Sequence, residues 1–284
     1  MQKEFAFFPG CVLTQAAIEA KMAIEAIAPI LGITLKEITG WSCCGASQAQ
    51  DVDPLATLVA NARNLALAEK MNLPLLTTCS TCLLMLTRAK TQLDNGQKER
   101  INTFLAKGNM DYKGTSEVTS LLWLLAQNAE EIKAKVKKPL SNLKVAVFYG
   151  CHSVRPEKDL GFESSVNPTS FETVVKALGA EVVPFTKRLD CCGFHAVYPA
   201  EKSVMKMTSG IVNSAAESKA DCVVTPCPLC QMQLDIYQDD AQATTKSKAR
   251  VPVIHLSQLV GLALGIDAKK LGLDYNVIDA SKLA

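Results

Sequence analysis

Short, continuous apolar runs alternate along the chain with longer stretches whose apolar residues recur every three to four positions, and the whole alternation occurs twice. EFAFFPGC (4–11) and LKVAVFYGC (143–151) are strand-like runs that stop at a glycine, which predicts strands ending beside Cys11 and Cys151. AAIEAKMAIEAIAPILG (16–32) and PTSFETVVKALGA (168–180) follow with helical spacing and a closing glycine. Shorter strand-like runs come next, ITLKEIT (33–39) and AEVVPF (180–185). Helical stretches over 53–72 and 200–220 then lead into LPLLTTC (73–79) and DCVVTPC (221–227). Strands alternating with helices of this length predict parallel-sheet α/β units.

The repetition is best measured on the cysteines. Ten of the eleven fall into two sets, Cys11, Cys43, Cys44, Cys79, Cys82 and Cys151, Cys191, Cys192, Cys227, Cys230. Each set reads as a single cysteine, a long gap, CC, a second long gap and CxxC. The first members are 140 residues apart (151 minus 11) and the other four pairs 148 apart (191 minus 43, and likewise onward), so about eight residues are inserted early in the second half. FFPGCVLT matches VFYGCHSV, SCCGASQ matches DCCGFHA, and LLTTCSTCLLML matches VVTPCPLCQMQL. The expected architecture is α/β, with two similar pseudo-repeated domains and mainly parallel sheets. Residues 1–140 hold the first domain with a connecting segment, and 141–284 the second. The cysteines fall at the C-terminal ends of strands, where open α/β sheets place their ligands.

Composition narrows the function. A chain of 284 residues with 48% hydrophobic and 20% charged content suits one large or two ordinary globular domains. The net charge of +2 gives no broad footprint for nucleic acid, so none is expected as a partner. The N-terminus has no signal-peptide pattern. VPVIHLSQLVGLALGI (251–266) is interrupted by His255, Ser257 and Gln258 and falls short of the roughly 20 residues of a spanning helix. A cytoplasmic location follows as the default, with peripheral contact to the cytoplasmic membrane left open.

Cysteines in such a chain read as metal ligands or catalytic thiols rather than disulfides. CxxC turns two sulfurs toward one centre. A glycine beside the cysteines, as at Gly10, Gly45, Gly150 and Gly193, leaves space for close approach by a bulky inorganic core. Adjacent cysteines in extended backbone point to opposite sides, so CCG needs a tight turn, or its two sulfurs hold different metal atoms. Zinc is the plain alternative, but four ligands per site leave one cysteine of each five unused. The compact ferredoxin spacing is absent. A multi-iron core with more than four thiolates fits the count, and its cations offset the charge of the crowded sulfurs.

Cys11, Cys43-Cys44-Gly45, Cys79-Ser80-Thr81-Cys82 and their counterparts resemble the duplicated cysteine-rich CCG domain of the heterodisulfide reductase B-subunit family, over nearly the whole chain. That family includes the E subunit of non-classical succinate dehydrogenases and the corresponding subunit of methylmenaquinol:fumarate reductases. The resemblance implies two noncubane [4Fe-4S] clusters, one per half, each held by the five cysteines of its motif. It also implies iron–sulfur and flavoprotein partner subunits, and a substrate that is either a quinone or a disulfide. Stretches such as FFPGCVLTQ and GWSCCGASQAQ incline the reading toward the respiratory branch. The absence of GxGxxG, phosphate-loop and ferredoxin motifs means that electrons pass to or from a partner.

His152 and His195, beside Cys151 and Cys192, are the candidate proton donors, since imidazole titrates near neutral pH. A lone histidine is more often a hydrogen-bonded structural residue, and His255 is weaker still as a donor. Val12, Ser47 and the stretch near Val118 take the corresponding places in the first half, which puts the expected chemistry at the second cluster. Lys187 and Arg188 could draw an anion, but a solvated loop is the simpler reading. Cys222, opposite Pro74 in the repeat, reads as a buried apolar residue. The segments 98–117 and 129–142 read as surface connection.

Overall fold

Two four-stranded sheets, each entirely parallel, make up the frame. The computed structural model describes residues 3–46 and 48–284. The first sheet holds β1 (Lys3–Phe8), β2 (Ile33–Glu37), β3 (Leu75–Thr77) and β4 (Val118–Ser120) in the order β2-β1-β3-β4. The second holds β5 (Lys144–Val147), β6 (Glu181–Val182), β7 (Cys222–Thr225) and β8 (Val253–His255) in the order β6-β5-β7-β8. The expected α/β duplication with parallel sheets is therefore what the chain forms. In each sheet the order reverses direction between its first and third strands, which opens a crevice at their C-terminal ends. Cys11 and Cys79 follow β1 and β3, and Cys151 and Cys227 follow β5 and β7, so the cysteines flank that crevice.

Local chemistry sets the helix boundaries. Asp53 caps the Pro54–Lys70 helix, accepting from the Ala56 amide at 2.9 Å, and Pro54 occupies the first turn, where its missing N–H costs nothing. Gly32, in the left-handed region, stops the Ile18–Leu31 helix. The second-half counterparts are the Ser170–Ala177 and Glu201–Glu217 helices.

The segments 98–117 and 129–142 are mostly exposed, as a surface connection should be, but each adds a helix and a few buried residues. The first contains the Lys98–Leu105 helix and buries Ile101, Leu105 and Tyr112; the second contains the Ala129–Lys135 helix and buries Ile132. Each segment carries only isolated apolar residues, too weak a pattern to predict burial. The edge strands β4 and β8 also lack a signal in the sequence. At three residues each they are too short for periodicity.

The halves exchange their covering helices. Leu121–Gln127, after β4, packs on Ser170–Ala177 of the second half, whereas Leu256–Ala263, after β8, packs on Ile18–Leu31 of the first. Both large apolar clusters draw residues from both halves. The strand registers pair Thr77 with Ser120 and Thr225 with His255, so Ser120 is the true counterpart of His255. Both cap the helix that follows.

Candidate metal centre

Each CxxC straddles a helix start. Cys79 precedes the Ser80–Gln92 helix and Cys82 lies in its first turn; Cys227 and Cys230 stand in the same relation to the Pro228–Ile236 helix. A spacing of three puts both sulfurs on one side of that turn. At each CCG the glycine adopts positive φ, +69° at Gly45 and +86° at Gly193. Its amide turns back onto the first cysteine, 3.5 Å from Cys43 Sγ and 3.3 Å from Cys191 Sγ. That is the tight turn the sequence required, and it keeps the adjacent sulfurs in contact with each other.

The ten sulfurs form one row that reads the same from either end. Cys43 lies 3.5 Å from Cys11, and Cys82 3.5 Å from Cys44, with Cys43–Cys44 and Cys79–Cys82 contacts completing the first half. Cys151 lies 3.8 Å from Cys191, and the row continues through Cys192 and Cys230 to Cys227. Cys79 and Cys227 meet across the seam at 4.0 Å. Cys11 and Cys43 are exposed, Cys151 and Cys191 half-buried, and the other six row members buried. Cys222 stands apart, fully buried in the apolar core, and its thiol is pushed up by burial first and then by the neighbouring Asp221.

Crowding makes these thiols electrostatically interdependent. Sulfur hydrogen bonds from Cys11 and from Cys151 hold Cys43 and Cys191 well below the usual thiol range. The same kind of contact, followed by burial, pushes Cys11, Cys82, Cys151 and Cys230 up. A full set of thiolates here requires cations among the sulfurs.

The residues fit an iron–sulfur core on three counts. Two thiolates sharing a tetrahedral metal at about 2.3 Å lie about 3.8 Å apart, close to the 3.5 Å of Cys11–Cys43 and Cys44–Cys82 and the 3.8 Å of Cys151–Cys191. A cavity of about 240 Å³ is walled by all five first-half cysteines. A Cβ on Gly10 would approach Cys82 Sγ to 2.9 Å, and one on Gly150 would approach Cys230 Sγ to 3.0 Å, so these two glycines clear the cradle. Gly45 and Gly193 serve differently, for their Cβ positions meet Thr57 and Val204 rather than sulfur.

The histidines lie in the seam. His152 Nδ1 is 3.0 Å from Thr81 Oγ1, and its ring centroid lies 5.3 Å from that of His195. Burial, then the neighbouring His195, lowers its pKa. His195 follows the second CCG in the chain, three residues past Cys192. It reaches across to line the first-half cavity together with Phe194 and Leu229, and its Nδ1 is buried with no partner. Ser47, its counterpart, lies outside the described residues. His255 is fully buried, with Nδ1 2.8 Å from Ser257 Oγ and Nε2 3.3 Å from the Thr78 carbonyl, so it ties the second half to the residue preceding Cys79.

Sequence reading missed Ser80 and Thr81, which bond across the seam where the second half has Pro228 and Leu229; Ser80 Oγ lies 2.7 Å from Ser153 Oγ. The only available signal was that mismatch within the repeat. Arg188 is not an anion site. It bonds to Glu172, Asn167 and the Pro168 carbonyl, and Lys187 pairs with Asp190 at 2.9 Å.

A duplicated parallel α/β frame that delivers ten thiols to paired crevices defines a class of cysteine-rich redox subunits. The sequence profile of the CCG cysteine-rich domain matches residues 5–87 and 145–235, and the chain belongs to that family. It is 83% identical over 283 residues to the 8-methylmenaquinol:fumarate reductase membrane anchor subunit of Wolinella succinogenes, covering all of both chains. It is 31% identical to the B subunit of the ferredoxin:CoB-CoM heterodisulfide reductase of Methanosarcina mazei, over 97% of this chain and 94% of that one. A crystal structure of a Helicobacter pylori protein superposes with a TM-score of 0.81 at 17% identity, over 98% of this chain and 52% of that one, a likeness of fold. The curated relatives are oxidoreductase subunits, and the cysteine-rich domain they share suggests iron–sulfur cofactors. No helix among the described residues is long and apolar enough to cross a membrane.

Proposed function

We propose that the chain is the iron–sulfur electron-transfer subunit of a respiratory complex, exchanging electrons between quinone or quinol and a fumarate- or succinate-reacting flavoprotein with its iron–sulfur partner. The palindromic row of ten sulfurs carries this reading, and the Wolinella relative's named activity supports the choice of substrate. Cys11, Cys43, Cys44, Cys79 and Cys82 would hold one noncubane [4Fe-4S] cluster, and Cys151, Cys191, Cys192, Cys227 and Cys230 the other. When bound, the clusters accept and pass electrons singly. Gly10 and Gly150 leave room for them, and the seam excludes water from Cys79 and Cys227. His152 and His195, whose rings face each other 5.3 Å apart, would be the groups that hold a proton of the substrate. Membrane association is peripheral in this reading, through partners or the bilayer surface.

A second reading, reduction of a disulfide, is supported by the heterodisulfide reductase relatives. Anaerobic isolation of the intact complex separates the two. Co-isolation with a flavin-bearing fumarate reductase subunit and bleaching of the iron–sulfur absorbance on quinol reduction, reversed by fumarate, are expected. A disulfide that oxidises the centres while quinones leave them unchanged overturns the proposal in favour of the second reading. Colourless protein holding zinc without labile sulfide would overturn both.

A further inference from the structure

A pocket of about 430 Å³ lies at the half-to-half seam beside Cys151; it touches the thiol-walled cavity of the first half at Ala46 and shares no other lining residue with it. Its volume is in the range of small-molecule sites, roughly 300 to 1,000 Å³. Leu84 and Met85 enter it from the Ser80–Gln92 helix, and Pro156 closes it from the second half; its surface is mostly apolar. Against that apolar wall stand a few polar groups, each held in place. Arg88 Nε is fixed by Asp159 at 3.1 Å, and Arg155 Nη1 by the Leu189 carbonyl at 3.0 Å, which leaves their other nitrogens available. His152 engages Thr81 through Nδ1, leaving Nε2. Arg88 and Pro156 also line a neighbouring open groove of about 1,070 Å³, likewise mostly apolar, together with Leu55 and Leu58, and Arg100 and Lys158 flank it.

We infer that this pocket is the ring site of the quinone or quinol and that the groove takes its isoprenoid chain, an inference that rests on the quinone reading above. A flat apolar ring with two oxygens needs an apolar slot with a few oriented N–H donors. Cys151 in the wall then makes the second sulfur set the one that meets the substrate. The first-half cavity is smaller, and its five thiols claim it for a core. The arrangement also has a single copy, because Val12 replaces His152 in the first half.

The test uses the intact anaerobic complex, an azido-naphthoquinone without a tail as photolabel, and a prenylated naphthoquinone as competitor. Labelling is expected on residues 84–88 or 151–156. Gln50→Trp, at a half-exposed position lining the pocket, should weaken binding of both quinones at least tenfold with iron and sulfide content unchanged. Leu58→Asp should weaken only the prenylated one. Labelling at Val12 or Phe194, or wild-type affinity in Gln50→Trp, overturns the assignment of the pocket. Failure of the wild-type complex to bind any quinone overturns instead the reading on which it rests.

Discussion

Gly10 and Gly150 have little freedom to change. Both hold φ near +70° and both would press a Cβ against a CxxC sulfur. Alanine costs roughly 1 kcal/mol in backbone strain at either place, but displacement of the sulfur is the larger effect. Gly10→Ala should lose the first-half core and Gly150→Ala the second, each lowering bound iron and sulfide by about half while the protein stays folded. His255 makes a different prediction, in pH. Burial pushes its pKa down to about 4, so the ring is neutral in both folded and unfolded chains above pH 6.5. As pH falls from 6.5 toward 4 the unfolded chain takes up a proton that the folded chain refuses, a loss on the order of 3 kcal/mol. Burial pushes Glu19 up to about 7 and Asp235 up to about 6, so their contributions run the other way and fade as pH rises through those values. Urea midpoints of wild type and His255→Gln should therefore converge as pH drops from 6.5 to 4. A constant gap would exclude the assignment. The ten cysteines were legible because a repeat offset identifies residues whatever their surroundings. The place of His195 was not, since it depends on how the two halves meet.

Glu69 controls an element that the sequence presents only as a polar linker. Its carboxylate accepts the backbone N–H groups of Lys113, Gly114, Thr115 and Ser116, at 2.6 to 3.2 Å, and holds that loop on the Pro54–Lys70 helix. Removing it leaves four amides without their shared acceptor, so Glu69→Ala should cost about 2 kcal/mol and open residues 106–117 to limited proteolysis. Unchanged resistance to protease would show that the loop is held by Tyr112 burial and by the Asn102–Tyr112, Lys98–Lys113 and Ser116–Leu65 hydrogen bonds without Glu69. No sequence pattern announces this contact, because the amides lie 44 to 47 residues from the carboxylate. Helices such as Pro54–Lys70 and Glu201–Glu217 were legible because their apolar spacing is local. β6, with two residues, was legible through the longer strand-like run AEVVPF that contains it.

Duplication suggested two bodies, yet the apolar clusters run through both halves and the helix after each half's last strand covers its neighbour. An apolar helix face reads the same whichever sheet it covers, so this exchange could not be read from spacing. Residues 1–140 expressed alone should fail to give a cooperative unfolding transition, and co-expression with 141–284 should restore one. A cooperative transition from either piece by itself would mean that the shared core contributes little. The Cys79–Cys227 contact at 4.0 Å has its own consequence, for maturation. Sulfurs this close in the apoprotein need only a small movement to join covalently at about 2.05 Å, and air would then staple the cradle shut before iron arrives. Newly made chains must be loaded under reducing conditions, and apoprotein prepared in air should accept iron and sulfide only after treatment with a thiol.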